Sequence, residues 1–95
     1  MQLKDKTAVI TGGGTGIGRA ITHRFAAEGA KVAICGRRLE PLEGVARELT
    51  DAGNVPYWQT ADVSSKADVD RFIENVVERF GRIDILVNNA GILFR

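Results

Sequence analysis

Cysteine is nearly missing from this chain of 95 residues: Cys35 stands alone, which excludes an internal disulfide and a cysteine-cluster metal site and suits a reducing, intracellular compartment. Proline is limited to Pro41 and Pro56, and there is no repeat, low-complexity tract or linker. An excess of either charge is also lacking. The 13 basic and 12 acidic residues nearly cancel, so no overall field would hold a nucleic acid backbone or an anionic membrane, and any bound anion must be held locally. Long hydrophobic runs are absent too: stretches such as Ile85 to Val87 are far too short to span a bilayer, and the polar start Met1 to Lys6 does not read as a signal peptide. A cytoplasmic protein without nucleic acid or membrane partners is expected. What is present is ordinary globular composition, 44% hydrophobic and 26% charged, in a chain long enough for one small domain but not two.

Short β-rich runs alternate with helical periods. Thr7 to Thr11 and Lys31 to Cys35 are strand candidates closed by glycine. Ile85 to Val87 is continuously apolar, as in a parallel strand buried on both faces. Val55 to Ala61, with Pro56 near its start, is more polar and suits a sheet edge. Between them, Ile17, Ala20, Ile21 and Phe25 share one helical stripe that stops at Gly29, and Leu42, Ala46 and Leu49 repeat at helical spacing between Leu39 and Ala52. A third helix opens with Ser65 and Asp68, which resemble a capping box. It carries Val69, Phe72, Ile73, Val76, Val77 and Phe80 on one stripe before Gly81. The order β-α-β-α-β-α-β calls for a parallel sheet with right-handed crossovers and helices on both faces. A fourth strand this apolar wants a partner on each side, so the chain is expected to be the first half of something larger.

Thr11-Gly12-Gly13-Gly14-Thr15-Gly16-Ile17-Gly18 falls where the first strand becomes the first helix. Glycine there permits a tight turn and lets a phosphate approach the free amides of the helix N-terminus, where the helix dipole also favours negative charge. Gly18 has a second reading, as the residue that lets the helix pack close to the sheet. The spacing is G-xxx-G-x-G and no lysine follows, so the loop is not the P-loop of an ATPase.

Three segments in this order, Thr11 to Gly18, Asp62-Val63 after the third strand and Asn88-Asn89-Ala90-Gly91 after the fourth, resemble the classical short-chain dehydrogenase/reductase family over essentially the whole chain. The resemblance implies a three-layer Rossmann-type doubly wound parallel sheet in the order 3-2-1-4, truncated here after the fourth strand. Residues 1–95 would be the cofactor-binding half-domain of a longer enzyme. It further implies cofactor contacts from Gly12, Gly14, Thr15, Gly16, Ile17 and Gly18, adenine recognition by Asp62 and the Val63 backbone, and ribose contact by Asn89 and Gly91. Asn88 would support the central sheet. Asp62 can alternatively be a simple cap for the next helix, and Asn88 and Asn89 can be plain turn residues.

The end of the second strand bears on the choice of cofactor. An NAD-binding unit places Asp or Glu there to accept hydrogen bonds from the ribose hydroxyls. This chain has Gly36, followed by Arg37 and Arg38, whose guanidinium groups can pair with a 2′-phosphate or lie over adenine. NADP is therefore expected in preference to NAD. The alternative, a solvated basic pair, sets cations against the dipole of the helix that follows. Family chemistry resembles proton transfer by a Tyr-xxx-Lys pair with a Ser and a further Asn. Here the one tyrosine, Tyr57, is followed four residues on by Ala61, so no catalytic residue is assigned and Tyr57 reads as packing. His23 reads as solvent-facing, Cys35 as a small buried hydrophobe and Trp58 as packing. The parent would be an NADP-preferring oxidoreductase, a homo-oligomer moving a hydride between nicotinamide and a carbonyl or alcohol carbon of a small molecule. The alternative is a stand-alone noncatalytic nucleotide-binding or structural module.

Overall fold

Thr7–Thr11 (β1) is buried at every position, and the rest of the fold is arranged around it. The structure, a computed structural model, describes residues 2–89. Strands β2 (Lys31–Gly36), β3 (Tyr57–Thr60) and β4 (Ile85–Asn88) join β1 in one parallel sheet ordered β3-β2-β1-β4. Helices α1 (Gly16–Ala27), α2 (Leu39–Asp51) and α3 (Lys66–Phe80) make the crossovers. Thr11 pairs with Cys35 on one side and Asn88 on the other, and Gly36 pairs with Thr60. The carboxyl ends of all the described strands are thus nearly level, and the loops that follow them share one edge of the sheet.

Because strand side chains alternate between faces, β1 and β2 each feed two cores. Ala8, Ile10, Val32 and Ile34 pack with Ala26, Leu42, Val45 and Leu49, which puts α1 and α2 on one face. Val9, Ala33 and Cys35 pack with Phe72 and Val76 of α3 on the other. The result is the expected three-layer arrangement of a Rossmann-type fold. Phe72, almost fully buried, also stacks on Tyr57 with ring centroids 6.2 Å apart, and burial of a side chain this size contributes about 1.5–3 kcal/mol. At the opposite end of the sheet the Thr7 amide donates to Asp84 Oδ2 at 2.9 Å and the Asp84 amide donates to the Thr7 carbonyl at 2.9 Å, which fixes the register of β4 on β1.

The structure departs from the pattern in the sequence at several places. The buried centre of α1 is Gly18, Thr22 and Ala26, with Ile21 and Phe25 half-buried beside it, whereas Ile17 is 64% exposed. The flank carrying Ile17, Ile21 and Phe25 is only partly covered, least of all at Ile17 in the first turn. β4 is not buried on both faces. Ile85 and Val87 pack against the α1/α2 core, but Leu86, beside Val9 in register, is 61% exposed because α3 covers β1 and β2 without reaching over β4. β3 is shorter than expected, and Val55 lies outside it, exposed. The capping box of α3 is half formed: Ser65 Oγ accepts from the Asp68 amide at 3.2 Å, while the Asp68 carboxylate accepts from the amide of Asp62 at 2.9 Å. Among the described residues no helix is long and apolar enough to cross a membrane.

Candidate functional site

The turn from β1 into α1 runs through Gly12 and Gly16, whose φ angles of 67° and 53° lie in the left-handed region that an L side chain adopts only at a cost. Gly12 is pinned on two sides. Its amide donates to the Cys35 carbonyl at 2.8 Å, and its carbonyl accepts from Asn89 Nδ2 at 3.3 Å. Gly18 is there for a different reason: a Cβ on it would lie 1.9 Å from the Gly12 carbonyl oxygen and 2.8 Å from Asn89 Nδ2. The packing reading of Gly18 thus describes its surroundings, with the first turn of α1 resting directly on the loop. Gly13 is also confined, though less tightly, since a Cβ would come within 2.5 Å of Ile34 Cγ2, and a Cβ on Gly14 would lie 3.0 Å from the Pro41 carbonyl carbon.

Thr22 was not singled out from the sequence, yet it supports this loop from below. Fully buried, its hydroxyl donates to the Gly18 carbonyl at 2.8 Å and lies 3.4 Å from the Gly13 carbonyl. The available signal was a hydroxyl at the centre of an apolar helical face, four residues after Gly18. Above the loop, Thr11 Oγ1 donates toward Asn88 Oδ1 at 3.2 Å, so Asn88 and Asn89 together tie the end of β4 to the end of β1 and the loop behind it.

Thr15, the N-cap of α1, makes no side-chain cap hydrogen bond, and the first turn holds no acidic residue. The leading amides of α1 are left for an acceptor from outside, and the helix dipole makes an anion the favoured one. Next to this end lies a hollow of about 130 Å³ lined by Gly12, Gly14, Thr15, Gly36, Arg37, Arg38, Pro41 and Leu42. It brings together five of the predicted cofactor contacts, Gly12, Gly14, Thr15, Arg37 and Arg38, while Gly16, Ile17, Gly18, Asp62, Val63 and Asn89 do not line it. Arg38 is the N-cap of α2, and among the described residues it makes no ion pair. Gly36 leaves room, for a Cβ would meet only Leu42 Cδ2 at an ordinary 3.7 Å.

A second cleft of about 200 Å³, lined by Thr60, Ala61, Asp62 and Asp68, lies on the other side of Arg37. Asp62 Oδ1 accepts from the Ser64 hydroxyl at 2.6 Å, the Ser64 amide at 2.9 Å and Arg37 Nη2 at 3.1 Å. The Ser64 hydroxyl above all, then its amide and Arg37, hold the Asp62 carboxyl below the usual aspartate range, so it is a carboxylate at neutral pH. Asp62 therefore closes the turn before α3 and also faces the cleft. The Val63 side chain packs into the α3 core, while Gly91 lies outside the described residues.

The remaining side chains stand apart from this edge. Burial pushes the Cys35 thiol up to about 11, which leaves it protonated and inert. His23 is half-buried rather than free in solvent: its Nε2 lies 2.7 Å from Glu48 Oε1, and Arg19 holds the other Glu48 oxygen at 2.7 Å. A larger hollow of about 780 Å³ lies at the far end between the last turns of α1 and α2, lined by residues such as Lys4, Ala26, Leu49 and Asn54. It contains no predicted site residue. Among the described residues no group of three or more His, Cys, Asp and Glu is placed to hold a metal.

The sheet order, the switch in crossover direction between β1 and β4 and the crevice at their carboxyl ends define a Rossmann-type α/β unit. The chain belongs to the short chain dehydrogenase family, which residues 6–95 match. It is 48% identical over 90 residues to an uncharacterized oxidoreductase of Mycobacterium bovis, an alignment covering 95% of this chain and 36% of that protein. The apo-form crystal structure of Caenorhabditis elegans glucose dehydrogenase superposes with a TM-score of 0.90 at 41% identity, covering 99% of this chain and 41% of the other. A metagenomic short-chain oxidoreductase crystallised with NADP gives a TM-score of 0.89 at 37% identity, covering 97% of this chain and 42% of the other. The chain thus spans well under half the length of these proteins.

Proposed function

We propose that residues 1–95 are the NADP-binding part of a longer cytoplasmic short-chain oxidoreductase, which transfers a hydride between nicotinamide and a carbonyl or alcohol carbon of a small-molecule substrate. The observation that carries the cofactor preference is the hollow beside α1, where Gly36 supplies no carboxylate and Arg37 and Arg38 supply two cations. A 2′-phosphate meets charge-assisted donors there and no fixed negative charge on β2. A related structure solved with NADP supports the reading, as does family membership.

The residues present fit a dinucleotide in distinct ways. The uncapped N-terminus of α1 suits the pyrophosphate, with Gly12, Gly14, Thr15, Gly16, Ile17 and Gly18 shaping its approach. Arg37 and Arg38 would hold the 2′-phosphate, Asp62 and the Val63 backbone would bind adenine, and Asn89 with Gly91 would border the ribose. Bound NADP would supply the site that accepts or donates hydride. This chain's part is to bind and orient: Asn89 and Cys35 fix the Gly12 peptide, and that peptide sets the height at which α1 presents its amides.

A second reading, a stand-alone nucleotide-binding module, is favoured by one observation: these 95 residues contain no Tyr-xxx-Lys pair. The two are separated by the mass of the native polypeptide and by its binding of cofactor. The proposal expects a polypeptide of roughly two to three times this length, a homo-oligomer that binds NADPH at least about tenfold more tightly than NADH in a fluorescence titration. Equal affinities would overturn the preference, and a native chain of this length alone would overturn the enzyme.

A further inference from the structure

Arg37 stands between the two clefts, and in this structure its guanidinium is turned toward the one that holds Asp62. The backbone forces the proximity. Gly36 pairs with Thr60 in register and the Ala61 amide donates to the Gly36 carbonyl at 2.8 Å, so residues 37 and 62 leave neighbouring strands side by side. Arg37 Nη2 then reaches Asp62 Oδ1 at 3.1 Å, while the Ser64 hydroxyl and amide keep that carboxylate from rotating away. Arg38, at the same edge, makes no ion pair among the described residues, so the carboxylate engages only the first of the two arginines.

We propose that Asp62 is a specificity-determining residue that narrows the preference for NADP over NAD by competing with the 2′-phosphate for Arg37. The inference rests on the reading that Arg37 contacts that phosphate. NAD leaves the Arg37–Asp62 pair undisturbed. NADP draws the guanidinium from the Asp62 cleft into the one lined by Gly36 and Arg38, and part of the phosphate interaction is offset by the ion pair that is lost. With side chains 69% and 44% exposed, the pair is a surface ion pair, and its loss corresponds to roughly a two- to fivefold change in affinity.

The test is a double-mutant cycle on the intact protein, reading the ratio of NAD to NADP dissociation constants by calorimetry. Asp62→Asn keeps an oxygen that can accept from Ser64 but removes the charge, and Asp62→Ser serves if the first variant does not fold. Expected is a ratio about two- to fivefold higher in Asp62→Asn than in the wild type, and no such rise when Arg37→Ala is the background. A ratio that is unchanged or lower in Asp62→Asn, while Arg37→Ala lowers it, overturns the competition and leaves the NADP assignment standing. An equal rise in both backgrounds also overturns it, because Asp62 would then be acting on the phosphate directly. If Arg37→Ala leaves the ratio unchanged, the NADP reading itself fails and the competition with it.

Discussion

Adding one methyl group at position 18 tests the packing of α1 onto its loop. The Cβ of Gly18→Ala would sit 1.9 Å from the Gly12 carbonyl oxygen, so helix and loop must separate by about an ångström to reach even the 3.0 Å below which such contacts are essentially never seen. Gly12 cannot yield alone, since its amide is bonded to the Cys35 carbonyl and its carbonyl to Asn89. Overpacking of this kind costs about 1–3 kcal/mol, and a hydrogen bond broken with a partner left unpaired costs about 1–3 more, giving roughly 2–6 kcal/mol in all. Gly16→Ala is the control. It meets nothing within 4 Å, so its cost is the left-handed backbone alone, about 1–2 kcal/mol. Urea unfolding of the intact protein, with NADPH titration on whatever remains folded, reads both effects. Gly18→Ala should lose more stability than Gly16→Ala and bind at least about tenfold more weakly than the wild type, since α1 no longer presents its amides at the same height. If it unfolds within about 0.5 kcal/mol of the wild type, or costs no more than Gly16→Ala, the account of the loop is wrong.

Two further outcomes follow from named residues. A Cβ at position 36 meets only ordinary contact, so Gly36→Asp should fold and shift the preference toward NAD by about tenfold or more, by adding a ribose acceptor and repelling the 2′-phosphate; paired titrations with NADP and NAD check this. Asp84 is held below the ordinary aspartate value of 3.8, first by the Thr7 amide and then by Arg82, so its contribution to stability is present above that value and drains away as the pH falls through the lower folded value. Asp84→Asn should therefore destabilise the protein at neutral pH and differ little from the wild type in acid, a comparison made by urea midpoints across the pH range.

The alternation of strands and helices was legible because each element has its own period and stop signal. α3 is the clearest case, with Ser65 at one end, Gly81 at the other and Phe72 and Val76 buried between them. Of the candidate site, the turn into α1 was legible as far as it depends on backbone: Gly12 and Gly16 sit where φ is positive, and no other residue type does so as cheaply. What the sequence hid depends on how elements meet. Ile17 counts as apolar in any periodic pattern, yet it falls on the partly covered flank of α1 at its first turn. Leu86 looks like a core residue until α3 is seen to stop short of β4. Asp68, three residues after Ser65, is spaced for a capping box, but its carboxylate takes the Asp62 amide, which the fold brings closer. The Arg37–Asp62 pair joins residues 25 apart in sequence and becomes visible only once β2 and β3 are in register.

The central claim is that this edge of the sheet binds NADP through two arginines, and calorimetric titration of the Arg37→Ala/Arg38→Ala variant tests it most directly. Neither side chain is buried or caps a helix through its own atoms, so the variant should fold like the wild type. Losing charge-assisted hydrogen bonds worth about 1.5–3 kcal/mol, it should bind NADP about ten- to a hundredfold more weakly while NAD affinity changes by less than about twofold. NADP affinity that matches the wild type, or an equal loss for both cofactors, would contradict the account.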